Sequence, residues 1–178
     1  MKKQNIEILI EKIQSLGTVN TMDISIPLNL ACQILPPEPW EPKRLEEILE
    51  IKLPESVQQL WNKTSGLRLF EDTTHGQWGL IVWSPYKTIK EQEKKISQRP
   101  EDFQVSDLIL GEFLGDSELL VLRCNEQTPD FGEVMIALPL DEREEWYKAA
   151  SSLEEFLSNF IAARGEKFWE NRAPVVVS

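Results

Sequence analysis

The side chains of this sequence that could do chemistry are few, and none stands in a pattern that predicts catalysis. The one histidine, His75, lies in a polar stretch from Asp72 to Gly76 with no cysteine or carboxylate cluster near it in sequence. A metal site or a general base needs such partners at suitable spacing. We therefore interpret His75 as a residue of a surface turn.

Pairs of carboxylates could act together as a general acid and a general base. The pairs Asp116/Glu118 and Glu144/Glu145 have the required chemistry, but a chain with 30 acidic residues holds such pairs by chance. A calcium site at Asp116 or Asp130 would need the ligand spacing of an EF-hand loop, which is absent. No serine stands in a G-x-S-x-G motif, and no glycine-rich phosphate loop occurs. We expect no catalytic residue, no metal and no cofactor, and turnover abolished by Asp116→Asn would revive the enzyme hypothesis.

The two cysteines, Cys32 and Cys124, lie far apart in sequence and near no residue that could share a metal with them. The interpretation that we favour is a pair of reduced, packed thiols in a cytoplasmic protein. A single disulfide bridge between them stays open at this point.

The segment around which the fold should be organised is LPESVQQLWNKTSG, residues 53–66. Its apolar residues recur at helical spacing and predict a short helix that packs on a sheet. Trp61 should be its largest core anchor. Gly66 should end the helix in the left-handed conformation that glycine tolerates. The predicted apolar stripe consists of Leu53, Val57, Leu60 and Trp61.

The rest of the chain predicts one α+β domain with a mostly antiparallel sheet of about five strands packed against helices. The apolar, β-rich segments are short and closely spaced, which favours antiparallel pairing. They lie at 67–70, 79–83, 108–114, 118–124 and 133–138, and helices are expected at 4–16, 43–50, 86–97 and 153–164, the last capped by Ser151.

Three parts of the chain are expected from this pattern. Residues 1–42 should form an N-terminal helix and a proline-rich arm packed on the domain, since the arm is too apolar for a free linker. Residues 43–165 should form the α+β domain itself. Residues 166–178 form a C-terminal tail that the pattern does not place.

The charge of the chain is concentrated in one segment. Between Glu101 and Glu145, 13 acidic residues stand against two basic ones, whereas the remainder holds 17 of each sign. Nucleic acid is excluded as a direct ligand, because its binding needs clustered Lys and Arg. No apolar stretch approaches the ~20 residues that span a membrane. The segment is either a solvated surface that aids solubility or a patch that attracts a basic partner.

Two tryptophans bracket the second predicted strand and should face opposite sides of it, so one of them could anchor a partner. The sequence does not decide which one is exposed. Together with acidic residues of the charged segment they form the predicted partner-binding set, namely Trp78, Trp83, Asp107, Glu112, Asp116, Glu118, Asp130 and Glu133.

The order of these pieces resembles the SUKH superfamily, the Smi/Knr-type domain. The opening helix LPESVQQLWNKTSG, the strand and helix GLIVWSPYKTIKE, the hairpin LILGEFLGDSELLVLRC and the closing pieces FGEVMIAL and SSLEEFLSNFI carry the resemblance over roughly residues 43–162.

The resemblance implies an α+β domain without enzymatic activity and without catalytic residues to carry over. Bacterial members are often immunity proteins that neutralise polymorphic toxins, and fungal members look like regulatory scaffolds. Two functions therefore stay open: an immunity protein that occludes a basic toxin through its acidic surface, and a regulatory protein that binds a housekeeping partner. The oligomeric state is not predicted.

Overall fold

One antiparallel sheet forms the centre of the molecule. The computed structural model describes residues 5–20 and 29–170, so the middle of the proline-rich arm and the end of the tail lie outside the described residues. Within them, eight strands pair in chain order, each with the next. The strands are β1 (Thr18–Asn20), β2 (Asn29–Ile34), β3 (Leu67–Asp72), β4 (Leu80–Val82), β5 (Asp107–Phe113), β6 (Leu119–Arg123), β7 (Val134–Ala137) and β8 (Tyr147–Ala150).

The α+β class is confirmed, and the five predicted strands correspond to β3 to β7. The sheet is larger than expected because β1 and β2 come from the proline-rich arm and β8 precedes the last helix. Each added strand obtains its backbone hydrogen bonds from a neighbouring strand, and the partner of β2, which is β3, is distant in sequence. Local composition does not report that kind of pairing.

Five helices flank the sheet in the described part of the chain. None of them is long and apolar enough to cross a membrane. They are α1 (Ile6–Leu16), α2 (Pro42–Leu49), α3 (Glu55–Lys63), α4 (Pro85–Gln98) and α5 (Leu153–Ala162), with short 3-10 helices at Arg143–Glu145 and Phe168–Glu170.

The main core lies where α1, α3 and α5 pack on one face of the sheet. The prediction for Trp61 is confirmed: it is 0% exposed. Its indole Nε1 donates to the carbonyl oxygen of Trp83 at 2.9 Å, which ties α3 to the end of β4. Of the tail, Trp169 is buried in this core as well.

The end of α3 differs from the prediction. Thr64 is the C-cap, and Gly66 does not have a positive φ. A Cβ at Gly66 would stand 2.7 Å from the carbonyl oxygen of Val82. Glycine is therefore required there because two backbones approach closely, and the left-handed cap predicted for it is wrong.

The start of α5 is shifted by one residue from the prediction. Ser152, and not Ser151, is the N-cap, and its hydroxyl accepts from the backbone N–H of Glu155. The Glu155 carboxylate in turn accepts from the N–H of Ser151 at 2.9 Å. This reciprocal arrangement closely resembles a capping box.

The opposite face of the sheet carries a second, smaller core that α4 partly covers. Trp83, Ile109, Val121 and Ala137 form its floor, and Phe103 and Trp146 cover it from the loops. The buried side-chain amide of Gln92 attaches α4 to β5. It donates to the carbonyl of Asp107 at 2.6 Å and accepts from the N–H of Ile109 at 2.8 Å.

Candidate functional site

Asp107 is the most deeply enclosed of the predicted partner-binding residues. Its side chain is 0% exposed and accepts hydrogen bonds from Arg123 at 2.7 Å and from Arg143 at 2.5 Å. Arg123 also contacts Asp130 at 2.9 Å. Thr128 and Arg123 hold the pKa of Asp130 below its ordinary value. This network joins β5, β6 and two loops, so the side chain of Asp107 is enclosed by its own arginines in the free chain.

A second enclosed cluster forms where the tail meets the β5–β6 hairpin. Lys167 donates to Asp116 and, at 2.6 Å, to Glu118, whose side chain is only 7% exposed. Burial raises the pKa of Glu118 even though Lys167 opposes the shift. Burial would lower the pKa of Lys167, but its two carboxylate partners together raise it. Glu118 is therefore also withdrawn from the surface, whereas Asp116 remains more than half exposed.

The remaining predicted acids are also paired. Glu112 lies 3.9 Å from the Lys87 ammonium, and Glu133 lies 3.2 Å from that of Lys148. All six acidic residues of the predicted set thus stand beside a cation of the same chain. A nearby cation cancels much of the field of a carboxylate, so these residues attract a distant basic partner only weakly.

The two tryptophans have different environments. Trp83 is 2% exposed and lies in the second core, so it is buried in the free chain. Trp78 is half-buried, its indole donates to the carbonyl of Gly165 at 3.2 Å, and Lys167 lies over its ring. Trp78 is thus the more exposed of the two, but it is engaged in holding the tail.

The acids that the described part of the chain leaves without an ion pair are gathered mainly in one loop. Of the 13 acidic residues between Glu101 and Glu145, seven form ion pairs with described residues. The other six are all exposed, and four follow one another almost without interruption. We call these four the acidic loop: Asp141, Glu142, Glu144 and Glu145.

The acidic loop is held in place by two arginines and a tryptophan. Arg99 donates to the carbonyls of Leu138 and Asp141. Trp146 donates from its indole to the carbonyl of Asp141 at 3.2 Å. Arg99 and Arg143 lie over the Trp146 ring at 5.6 Å and 5.2 Å. The hydrogen bonds hold the backbone of the loop, and the cation–π contacts hold the two arginines against Trp146. The carboxylates of the loop remain exposed to solvent.

Exposed apolar residues accompany the acidic loop. Leu140 immediately precedes it and is 94% exposed. Val105 is 84% exposed and its carbonyl accepts from Arg123, in the same arginine network that anchors the loop. Glu101, also exposed and unpaired among the described residues, adjoins Asp102, which contacts Arg143. The region therefore combines negative charge with two apolar side chains that nothing described covers.

Sequence reasoning missed this loop although one signal was present. Four acids within five residues, with no apolar residue among them, cannot alternate between a core and a solvent face. Such a run is expected to be solvated. The acidic residues of β5 and of the β5–β6 hairpin, in contrast, lie beside apolar residues in the sequence. The fold places a lysine or an arginine next to each of them.

The described residues offer little that could do chemistry. They contain no group of three or more His, Cys, Asp or Glu side chains able to hold a metal ion. His75 lies in an exposed turn, where its backbone N–H donates to Asp72. Both cysteines are free, and burial raises the pKa of the Cys124 thiol, so it is a poor nucleophile.

Comparison with models of known protein families gives a match. The sequence model of the SMI1 / KNR4 family (SUKH-1) matches residues 36–159, which begin before α2 and end within α5. The acidic loop and both buried ion-pair networks, except for Lys167, fall inside this range. A search of curated proteins found no match.

Proposed function

The chain belongs to the SMI1 / KNR4 family (SUKH-1), and on that premise we propose that it is an immunity protein that neutralises a bacterial toxin. The family includes immunity proteins, and its domains generally bind protein partners without catalysis. The partner that fits the surface chemistry is a toxin domain with a basic surface.

The observation that carries this proposal is the acidic loop. Its four carboxylates are exposed, and no described cation pairs with them. Charges of one sign at a partner surface accelerate the encounter and orient the two proteins. The loop is anchored by Arg99 and Trp146, so little conformational entropy is lost when it docks.

We infer a mechanism of occlusion in two parts. The acidic loop draws the basic surface of the toxin toward this end of the molecule, and Leu140 and Val105 then bury apolar area against it. Asp116 and Asp130 are each more than a third exposed, but each forms an ion pair with a cation of the same chain, Lys167 or Arg123. These two acids therefore attract the toxin less strongly than the acidic loop does. We assign the protein to the cytoplasm, which agrees with its two free cysteines.

The test compares two variants with the same change in net charge. Glu142→Lys, Glu144→Lys and Glu145→Lys reverse the acidic loop, and the matched control reverses three exposed acids elsewhere, Glu11, Glu93 and Glu166. Each is co-expressed with the open reading frame that neighbours the gene. We expect the wild type and the control to restore growth to cells that carry a toxic neighbour, and the loop variant to fail.

Capture of the partner on immobilised protein gives an independent measurement. The partner should bind wild type and control and be lost from the loop variant, most clearly at low salt, where charges are least screened. Equal capture by all three would contradict the role of the loop. A non-toxic partner that depends on the loop would support the regulatory function instead of immunity.

A further inference from the structure

A cavity of ≈ 320 Å³ lies where the end of α2 meets the loop that follows β6. We call it the Glu50 cavity. Three separate parts of the chain line it, and most of the lining side chains are polar. The polar lining includes Glu46, Glu50, Lys52, Ser106, Glu126 and Gln127.

The residues that line the Glu50 cavity carry a net negative charge, since three glutamates stand against one lysine. Glu46 is already engaged within the molecule. Its carboxylate accepts from the backbone N–H of Leu53 at 2.9 Å and lies 3.7 Å from the ammonium of Lys52. Glu50 and Glu126 are exposed, and neither has an ion pair with another described residue. The charge that the cavity offers to a ligand is therefore that of these two carboxylates.

The backbone around the Glu50 cavity is held by hydrogen bonds. The N–H of Lys52 donates to the carbonyl of Cys124 at 3.0 Å, and the N–H of Cys124 donates to the carbonyl of Ser106 at 2.7 Å. The side-chain oxygen of Asn125 accepts from the N–H of Gln127 at 3.0 Å. The three lining segments are thus fixed to one another before a ligand arrives, so little conformational entropy is lost on binding.

Glu50 has a left-handed backbone conformation, with φ 53° and ψ 47°, at the C-cap of α2. Glycine adopts this conformation at a helix end without the steric cost of a Cβ atom. Glu50→Gly therefore removes the carboxylate while the helix end keeps its shape. This property makes the substitution a useful test of what the side chain binds.

The Glu50 cavity adjoins the surface that the acidic loop forms. Arg143, within the loop sequence, donates to the carbonyl of Asp102 at 2.9 Å. Ser106, which lines the cavity, is four residues further along the chain, and four residues span at most about 14 Å. Val105 lies between them and is 84% exposed. A protein that docks on the acidic loop and on Val105 therefore has the cavity within reach.

On the basis of the proposed function, we propose that the Glu50 cavity is a second contact for the same partner and receives one of its lysine or arginine side chains. The carboxylates of Glu50 and Glu126 neutralise the cation. The amide oxygen of Gln127 and the hydroxyl of Ser106 are acceptors for its remaining N–H groups. Hydrogen bonds between charged groups are roughly twice as strong as neutral ones. The cavity thus contributes affinity, whereas the acidic loop mainly accelerates the encounter.

Isothermal titration of the captured partner into variants of the full chain tests this contact. Glu50→Gln with Glu126→Gln should weaken binding about tenfold or more, as the loss of hydrogen bonds to a charged group does. The matched control, Glu47→Gln with Glu93→Gln, makes the same change in net charge at exposed acids outside the cavity and should bind like the wild type. Glu50→Gly should also weaken binding, without any loss of stability in urea denaturation.

The outcome separates this contact from the proposed function. Wild-type affinity in the cavity variant, with binding lost on reversal of the acidic loop, overturns the contact and leaves the proposed function in place. Equal weakening in the cavity variant and the Glu47/Glu93 control also overturns it, because net charge alone would then explain the effect.

A second measurement needs no partner. Backbone amide NMR signals of the full chain are followed during titration with acetyl-Gly-Arg-Gly-amide, acetyl-Gly-Lys-Gly-amide and the neutral acetyl-Gly-Gln-Gly-amide. A cationic peptide should shift the signals of Ser106, Glu126 and Gln127 saturably, and the neutral peptide should not. The two cationic peptides show whether the cavity takes arginine or lysine. Shifts spread evenly over all exposed carboxylates, or equal shifts with the neutral peptide, overturn the proposal.

Discussion

Arg143 Nη1 donates to Asp107 Oδ2 at 2.5 Å, and this contact determines what the acidic loop shows to solvent. Arg143 is the one cation between Asp141 and Glu145, and it points inward to a carboxylate that is 0% exposed. The acids on either side of it therefore keep their full charge at the surface. One buried ion pair both anchors the loop and leaves it negative.

Asp107→Ala should lower the free energy of unfolding by about 3–5 kcal/mol, because it leaves the buried guanidinium of Arg123 and the partly buried one of Arg143 without their shared partner. The side chains of Arg123 and Arg143 are 7% and 14% exposed, so water replaces the carboxylate poorly. Urea denaturation measures the change. Glu144→Ala, at an exposed acid in the same region, is the control and should lie within about 0.5 kcal/mol of the wild type. Equal effects of the two substitutions would contradict the structural role of Asp107.

Lys167→Met should destabilise the fold at neutral pH and do so less at acidic pH. The change leaves Glu118 buried without its cation, and burial already raises the pKa of that carboxyl above 4.5. Without Lys167 this pKa rises further, so the native state takes up a proton at a higher pH than the unfolded chain does. The native state is then stabilised relative to the unfolded state as the pH falls through this window.

Denaturation curves at a series of pH values test this prediction. The deficit of Lys167→Met relative to wild type should shrink as the pH approaches the ordinary glutamate range. Addition of Glu118→Gln to Lys167→Met should remove this pH dependence. A deficit that is the same at every pH would mean that Glu118 is not the group that titrates.

Most of the sheet could be predicted from the sequence because β3 to β7 are apolar runs bounded by turn residues. Trp61 was predictable for a similar reason, as part of a helical stripe. β2 and β8 could not be predicted, because their own residues lack the pattern of a strand. They form strands by pairing with β3 and β7. The role of Gly66 depends on the approach of Val82, which no local pattern reports.

The candidate site was harder to predict because its charge depends on distant pairs. The acids of the segment could be counted, but Glu118 meets a lysine 49 residues away and Asp107 meets Arg143 at a separation of 36. Composition gives the net charge of a segment, and only the fold decides which carboxylates are neutralised. The prediction of an acidic surface therefore named residues that the structure shows to be paired, and overlooked the loop where most of the unpaired ones lie.

Trp61→Ala should cost about 3–5 kcal/mol of unfolding free energy, as large-to-small changes in a core do. The substitution removes a side chain that is 0% exposed, its edge contact with Trp40 at 5.3 Å, and its hydrogen bond to the carbonyl of Trp83. Thermal and urea denaturation measure the loss. Leu140→Ala, at a residue that is 94% exposed, should leave stability nearly unchanged. A small effect at Trp61 would overturn its assignment as the anchor of α3.

Neutralising the acidic loop should make the free protein more stable, although we expect it to weaken partner binding. Four adjacent carboxylates without described cations repel one another, in a chain whose net charge is already −11. Glu142→Gln, Glu144→Gln and Glu145→Gln should raise the free energy of unfolding by about 0.3–1 kcal/mol, an amount typical of exposed charge pairs. The gain should diminish at high salt, because salt screens exposed charges. Urea denaturation at two ionic strengths measures both effects. A loss of stability would instead mean that these carboxylates hold the fold together and are not kept for a partner.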